Sequence, residues 1–294
     1  MGYKFLIFGA SGFVGKPLWE RVKEKKFPAL GTTYGENSEE FLNFNLATDN
    51  LSQVLPGNFL APEDQAVAII LAGIANGDFC FRNKDASYQI NVKGTTNLIS
   101  DLQQAGIKIV YISSGAVFDG VSGNYNEASA VSPIMEYGRQ KALVEDFIGK
   151  NCSDFLIVRL SKVVADTPGQ KHIFSQWQND IITGKPINCF SGEYFSPTDA
   201  GDVANGILLL IEKQLRGIYH LAGPEVFTRE ELARKFFQLM NKSAQIVVKN
   251  AQDFGLLEKR PLKVDLNSSK FAKDAGMPFR PMQEVMSSFL TKSA

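Results

Sequence analysis

Five short, nearly unbroken apolar runs, separated by stretches of helical periodicity, constrain this sequence more than any other feature. The runs are Lys4–Phe8, Ala29–Tyr34, Val67–Ala72, Ile107–Ser113 and Phe155–Leu160. Helical spacing occupies Val14–Lys23, Tyr88–Gln104 and Tyr137–Ile148 between them. A strand without polar alternation is buried on both faces, which in a globular chain means a parallel sheet covered by helices on both sides. Strand–helix repetition from the first residues points to an α/β, doubly wound sheet. The rhythm breaks after Lys162, where Pro168, Gly169, Gly184 and Pro186 interrupt the chain. A further strand–helix unit is expected at Pro197–Ile211 and Gly217–Leu221, then a helix near Arg229–Met240 and a polar, proline-containing C-terminus. The expected body is therefore 1–162, with 190–222 returning to it, and 163–189 with 223–294 form a smaller α/β lobe.

Bulk composition narrows the function classes. The 294 residues carry 31 basic and 31 acidic side chains, so no overall field favours DNA, RNA or an anionic membrane. The longest apolar run, Val67–Ala75, is about half of a membrane span, and no secretory leader is expected before Phe5–Phe8. Three widely spaced cysteines and two histidines indicate neither a disulfide framework nor a metal site. A reducing, cytoplasmic setting is expected.

The first chemical feature follows the first strand. Gly9-Ala10-Ser11-Gly12-Phe13-Val14-Gly15 is a G-x-x-G-x-x-G loop opening a helix. Its glycines permit a tight turn, close approach to a pyrophosphate and close helix–strand packing, while the helix end offers free amides. The cofactor implied is NADP or NAD. The second strand ends in Thr32-Thr33-Tyr34-Gly35 without the usual acid, and Thr33 and Asn37 can accommodate a 2′-phosphate, which leans the expectation to NADP.

Two further segments carry proton chemistry. Tyr137 and Lys141 stand at i and i+4 of one helix and face the same side; a lysine ammonium is expected to draw the tyrosine pKa down towards the working range. Ile109–Ile112 ends in Ser113-Ser114-Gly115, the carboxyl end of a parallel strand, where ligands of open sheets bind. Ser114 can donate to a carbonyl oxygen. A nucleophilic serine is disfavoured, since no G-x-S-x-G elbow surrounds it.

Together these segments resemble the extended short-chain dehydrogenase/reductases, and among them the dTDP-4-dehydrorhamnose reductases. The likeness extends through Val117-Phe118-Asp119-Gly120, Ser196-Pro197-Thr198, Gly217–Gly223 and Arg260-Pro261. The resemblance implies a Rossmann-type doubly wound parallel sheet with a smaller C-terminal α/β substrate-binding lobe. It implies a catalytic set of Ser114, Tyr137, Lys141 and Asn91. It also implies cofactor contacts from Gly9, Ser11, Gly12, Phe13, Val14, Gly15, Thr33, Leu71, Ala72, Gly73, Tyr137 and Lys141. Substrate contacts are expected from Ser114, Lys171, His172 and Arg260, the last as a diphosphate ligand. The expected partner is a nucleotide-sugar, with no nucleic acid and no membrane, in a homodimer. Gly115-Ala116 replaces the acidic pair of the related dehydratases, which argues against dehydration. A 4-epimerase on the same residues, and a non-catalytic dinucleotide-binding regulatory subunit, stand as alternatives.

Overall fold

The computed structural model describes residues 2–35, 38–61, 63–170 and 172–293. Apolar β1 (Tyr3–Phe8) runs through the glycine loop into α1 (Gly15–Glu24), followed by β2 (Ala29–Thr33), a two-residue β3 (Leu42–Asn43) and β4 (Gln65–Ile70). A helical arm comprises α2 (Gly77–Arg82), α3 (Lys84–Tyr88), a π turn at Gln89–Gly94 and α4 (Thr95–Gln104). Next come β5 (Lys108–Ser114), α5 (Glu136–Asn151) and β6 (Phe155–Leu160). These strands and a later one, β11 (Gly217–Leu221), form a seven-stranded sheet in the order β11-β6-β5-β4-β1-β2-β3. Every pairing in it is parallel. The order reverses between β1 and β4, which opens a crevice at their carboxyl ends.

Both faces are buried, as the unbroken runs require. Phe5 and Ile7 pack on one side with Leu18 and Val22 of α1; Leu6 and Phe8 pack on the other with Leu98 and Leu102 of α4 and Val144 and Ile148 of α5. The helix expected over Tyr88–Gln104 is interrupted by the π turn. There, a Cβ on Gly94 would lie 2.0 Å from the Leu46 carbonyl oxygen, so the helix is pressed against the loop after β3 and widens locally.

After β6 the chain alternates between the two units. Its elements are β7 (Val163–Val164), α6 (Ile173–Ile182), β8 (Ile187–Phe190), β9 (Tyr194–Phe195), β10 (Thr198–Asp199) and α7 (Ala200–Glu212). Past β11 come β12 (Phe227–Thr228), α8 (Arg229–Leu239), β13 (Ile246–Lys249), α9 (Ser269–Ala275) and α10 (Met282–Ser293). The lobe core joins Phe174 and Trp177 of α6, Phe236 of α8 and Phe289 of α10, with β8 paired to β13. One boundary is corrected: α9 belongs to the body, because Phe271 and Ala275 pack with Val203, Ile207 and Leu221. The C-terminus is also helical, burying Met282, Val285, Met286 and Phe289. Arg280, just before α10, is held by Asp202 (2.9 Å), Asp199 (2.7 Å) and Asp166 (3.1 Å), and Lys292 adds a contact to Asp166 at 3.0 Å. Among the described residues no helix is long and apolar enough to cross a membrane, and no group of three or more metal-ligating side chains occurs.

Candidate active site

The carboxyl ends of β1, β4 and β5 converge on a cavity of about 1120 Å³. Gly9 turns the chain at φ +89°, and a Cβ there would sit 2.9 Å from the Ala72 amide; one on Gly15 would sit 2.1 Å from the Gly9 carbonyl. The loop is thus compressed against the β4 turn, with the Leu71 and Ala72 amides both donating to Phe8 O at 2.9 Å. Gly9, Gly12, Phe13, Val14, Gly15, Leu71 and Gly73 line the cavity. Ser11 and Thr33 instead bond to each other, Oγ to Oγ1, at 2.7 Å beside the loop. Thr33 is buried and does not line the cavity. Asn37 lies outside the described residues, and Ala72 is partly buried, packed against the core beside the cavity but not lining it.

On the β5 side, Ser114 Oγ accepts the Ala116 amide at 3.1 Å, which leaves its O–H free to donate into the cavity. Tyr137 opens α5, and the adjacent Gly138 has no room for a side chain, since a Cβ would lie 2.0 Å from Ala116 O. That contact brings the first turn of α5 against the Ser114 loop. Lys141 Nζ donates to Ile112 O at 2.8 Å and lies 5.9 Å from the Tyr137 ring centroid. Burial dominates both titrations. It pushes Lys141 down to about 8 against the pull of Glu145. It pushes Tyr137 up to about 12, helped by Cys80 and opposed by the Ser114 hydroxyl. The net displacement of Tyr137 is upward, the opposite sense to the lowering expected from Lys141, because burial outweighs the other influences.

Asn91 is drawn into structure and does not line the cavity. Its Oδ1 accepts the Ile74 amide at 2.7 Å, and its Nδ2 donates to Ile74 O at 2.9 Å and to Gln140 Oε1 at 2.8 Å. It thereby ties the turn after β4 to α5, underneath Tyr137. Gln140 in turn donates to Ser87 at 2.8 Å and to Glu136 at 3.0 Å.

A second cavity, of about 420 Å³, adjoins the first. Ser114, Tyr137, Leu160, Ser161, Lys162 and Arg229 line both. Arg260 lines only the second, paired with Asp78 at the start of α2. His172, expected as a substrate contact, lines only the first, with its ring stacked 5.7 Å from Phe13 of the glycine loop. Lys171 lies outside the described residues. Sequence reasoning missed Lys162 and Arg229. Lys162 follows β6 and is pushed down by desolvation, by Arg229 and by Arg260, against Glu193. Arg229 begins α8, with its Nε buried and without a hydrogen-bond partner among the described residues. Only Lys162 carried a signal, its position: it stands just past a strand's carboxyl end, near where Ser114 ends another. Phe190, Phe254 and Leu256 add apolar lining to the second cavity.

Comparison with known proteins places this geometry. A structure described as a hypothetical dTDP-4-dehydrorhamnose reductase from Sulfolobus tokodaii is 29% identical, covering 92% of this chain and 94% of that one, with a TM-score of 0.80. A dTDP-4-dehydrorhamnose reductase from Bacillus anthracis, described in complex with NADP, superposes with a TM-score of 0.84 at 23% identity, covering 99% of this chain and 100% of that one. Methionine adenosyltransferase 2 subunit beta of Xenopus tropicalis is 27% identical over 238 residues, 79% of this chain and 70% of its own length. The family model described as RmlD substrate binding domain matches residues 3–294, nearly the whole sequence. The chain belongs to the RmlD substrate binding domain family.

Proposed function

We propose that this protein is a nicotinamide-dependent ketoreductase acting on the 4-keto group of a nucleotide-linked deoxysugar. One observation carries the reading: Ser114 and Tyr137 stand in the wall shared by two cavities, one following the glycine loop and the other ringed by Lys162, Arg229 and Arg260. The larger cavity fits a dinucleotide, because Gly9, Gly12 and Gly15 line it without side chains of their own. The NADP described for the Bacillus anthracis relative agrees with this. When bound, the nicotinamide supplies the hydride.

The chain's own groups do the rest. Ser114 donates its free O–H to the substrate carbonyl and stabilises the oxyanion as it forms. Tyr137, kept neutral by burial, gives its phenolic proton to that oxygen. Lys141, fixed on Ile112 O, presents its remaining N–H donors to the cofactor cavity. Asn91 acts as a positioning residue that holds the Ile74 turn against α5. Arg260, Arg229 and Lys162 hold the diphosphate, the guanidinium forks matching its oxygens pairwise. A cytoplasmic homodimer is the expected state; exposed Phe79, Tyr88 and Leu143 on α2, α3 and α5 offer apolar surface for a second copy.

The test is cofactor oxidation, with NADPH and NADH in parallel, on a freshly prepared dTDP-4-keto-6-deoxyhexose. Turnover that vanishes in Tyr137→Phe supports the reading. Interconversion of sugar epimers without net oxidation would replace it with a 4-epimerase. The Xenopus relative, named as a subunit of another enzyme, favours a second reading as a regulatory dinucleotide-binding subunit. Cofactor binding with no sugar chemistry would select that one.

A further inference from the structure

We infer that Glu258, in the loop between β13 and α9, is a positioning residue that couples the occupied substrate cavity to the helix bearing Tyr137. The inference rests on the ketoreductase reading.

The N-terminus of α5 has no cap of its own, for Met135 supplies no side-chain acceptor. A helix begins with amides that lack intrahelical partners, and a carboxylate there satisfies them and complements the helix dipole. At α5 that carboxylate comes from 122 residues away: both oxygens of Glu258 accept the Glu136 amide, at 2.8 and 3.0 Å. Arg139 Nη1 donates to the same carboxylate at 3.2 Å, and the Glu258 side chain is only 8% exposed. Among the described residues, all hydrogen bonds between α5 and the chain beyond β11 run through Glu258. The capped amide belongs to the residue immediately before Tyr137.

The loop that supplies the cap also builds the substrate cavity. Phe254, Leu256, Arg260 and Pro261 line it on either side of Glu258. Arg260 is tied to Asp78 of α2 and reaches Met135 Sδ at 3.9 Å, so the segment touches the α5 entry from a second side. A ligand seated between Phe254 and Arg260 therefore orders the backbone that carries the cap, and the cap orders the first turn of α5.

Hydrogen–deuterium exchange and steady-state kinetics on the full chain, with Glu258→Ala and Glu258→Gln, test this. Saturating dTDP should slow exchange in the wild type both over 250–262 and over 135–140. In Glu258→Ala only the loop should respond, and kcat should fall about tenfold while the NAD(P)H dissociation constant stays within about twofold. Glu258→Gln retains an acceptor for the Glu136 amide and should recover most of kcat. The coupling is overturned if Glu258→Ala keeps the wild-type kcat, or if residues 135–140 still respond to dTDP in that variant. It is also overturned if Ala and Gln fail alike with cofactor binding lost, which marks a purely structural glutamate. If dTDP alters neither segment in the wild type, the nucleotide-sugar reading fails and the coupling falls with it. If in the wild type dTDP slows exchange over 250–262 but not over 135–140, the inference alone is removed and the nucleotide-sugar reading stands.

Discussion

At the scale of single residues, two ionisable groups in one cleft are displaced from their ordinary values by the same cause, burial. Tyr137 stays protonated across the physiological range, which suits a proton donor in the reducing direction. Tyr137→Phe should keep cofactor affinity, read by fluorescence, and lose at least about 10²-fold in turnover; near-normal turnover would remove the phenol from the chemistry. Lys141 is the converse case. Free lysine titrates at 10.5 and the folded chain holds Lys141 at about 8, so between these values the unfolded chain binds a proton that the folded chain has released. Stability accordingly rises with pH through that window. Below it the buried ammonium costs up to about 3 kcal/mol, at about 1.36 kcal/mol per pKa unit. Lys141→Met should abolish turnover yet raise the urea midpoint at pH 7, with the gain shrinking towards pH 10.5. A midpoint that falls at pH 7 would mean that the hydrogen bond to Ile112 outweighs the desolvation.

At the scale of elements, the close approach of α5 to the Ser114 loop depends on a missing side chain. Gly138→Ala would drive a Cβ into the Ala116 carbonyl, 2.0 Å away, and must push the helix outward. A loss of roughly 1–3 kcal/mol is expected from the overpacking, read by thermal unfolding; an unshifted midpoint would show that α5 can slide. That Ser114, Tyr137 and Lys141 would line one cavity was legible because strand-end position and i,i+4 spacing are local signals. The π turn around Asn91 was not legible: it coincides with Gly94 meeting Leu46, a contact between segments that no local pattern records. Arg229 was hidden for a similar reason, since it opens a helix of the lobe and reaches the site only through the packing of that lobe. The helix α10 is different. Met282, Val285, Met286 and Phe289 follow helical spacing and were obscured by the polar residues between them.

At the scale of the whole molecule, the seven-stranded body was readable because strands buried on both faces leave an unbroken apolar trace in the chain. The lobe was readable only as irregularity, and α9 was misassigned because Phe271 returns to the body from within it. One contact joining the two units is a charged cluster. Arg280 meets three carboxylates, and with Lys292 it holds Asp166 down to about 2, burial acting in the opposite sense. That contribution is complete above the ordinary carboxylate value of 3.8 and is lost as the pH falls through about 2. Arg280→Met should cost about 3 kcal/mol, the low end for a broken buried pair, because Arg280 retains 30% exposure. Urea unfolding reads this, and a change below about 1 kcal/mol would show that the carboxylates relax by hydration.

The paired cavities also bear on the order of events. If reductant and sugar take the two cavities that share the Ser114 and Tyr137 wall, neither must vacate before the other arrives. Initial-rate plots should intersect rather than run parallel, and each spent ligand should compete only with its own fresh counterpart. Turnover would then be paced by whichever chamber empties more slowly.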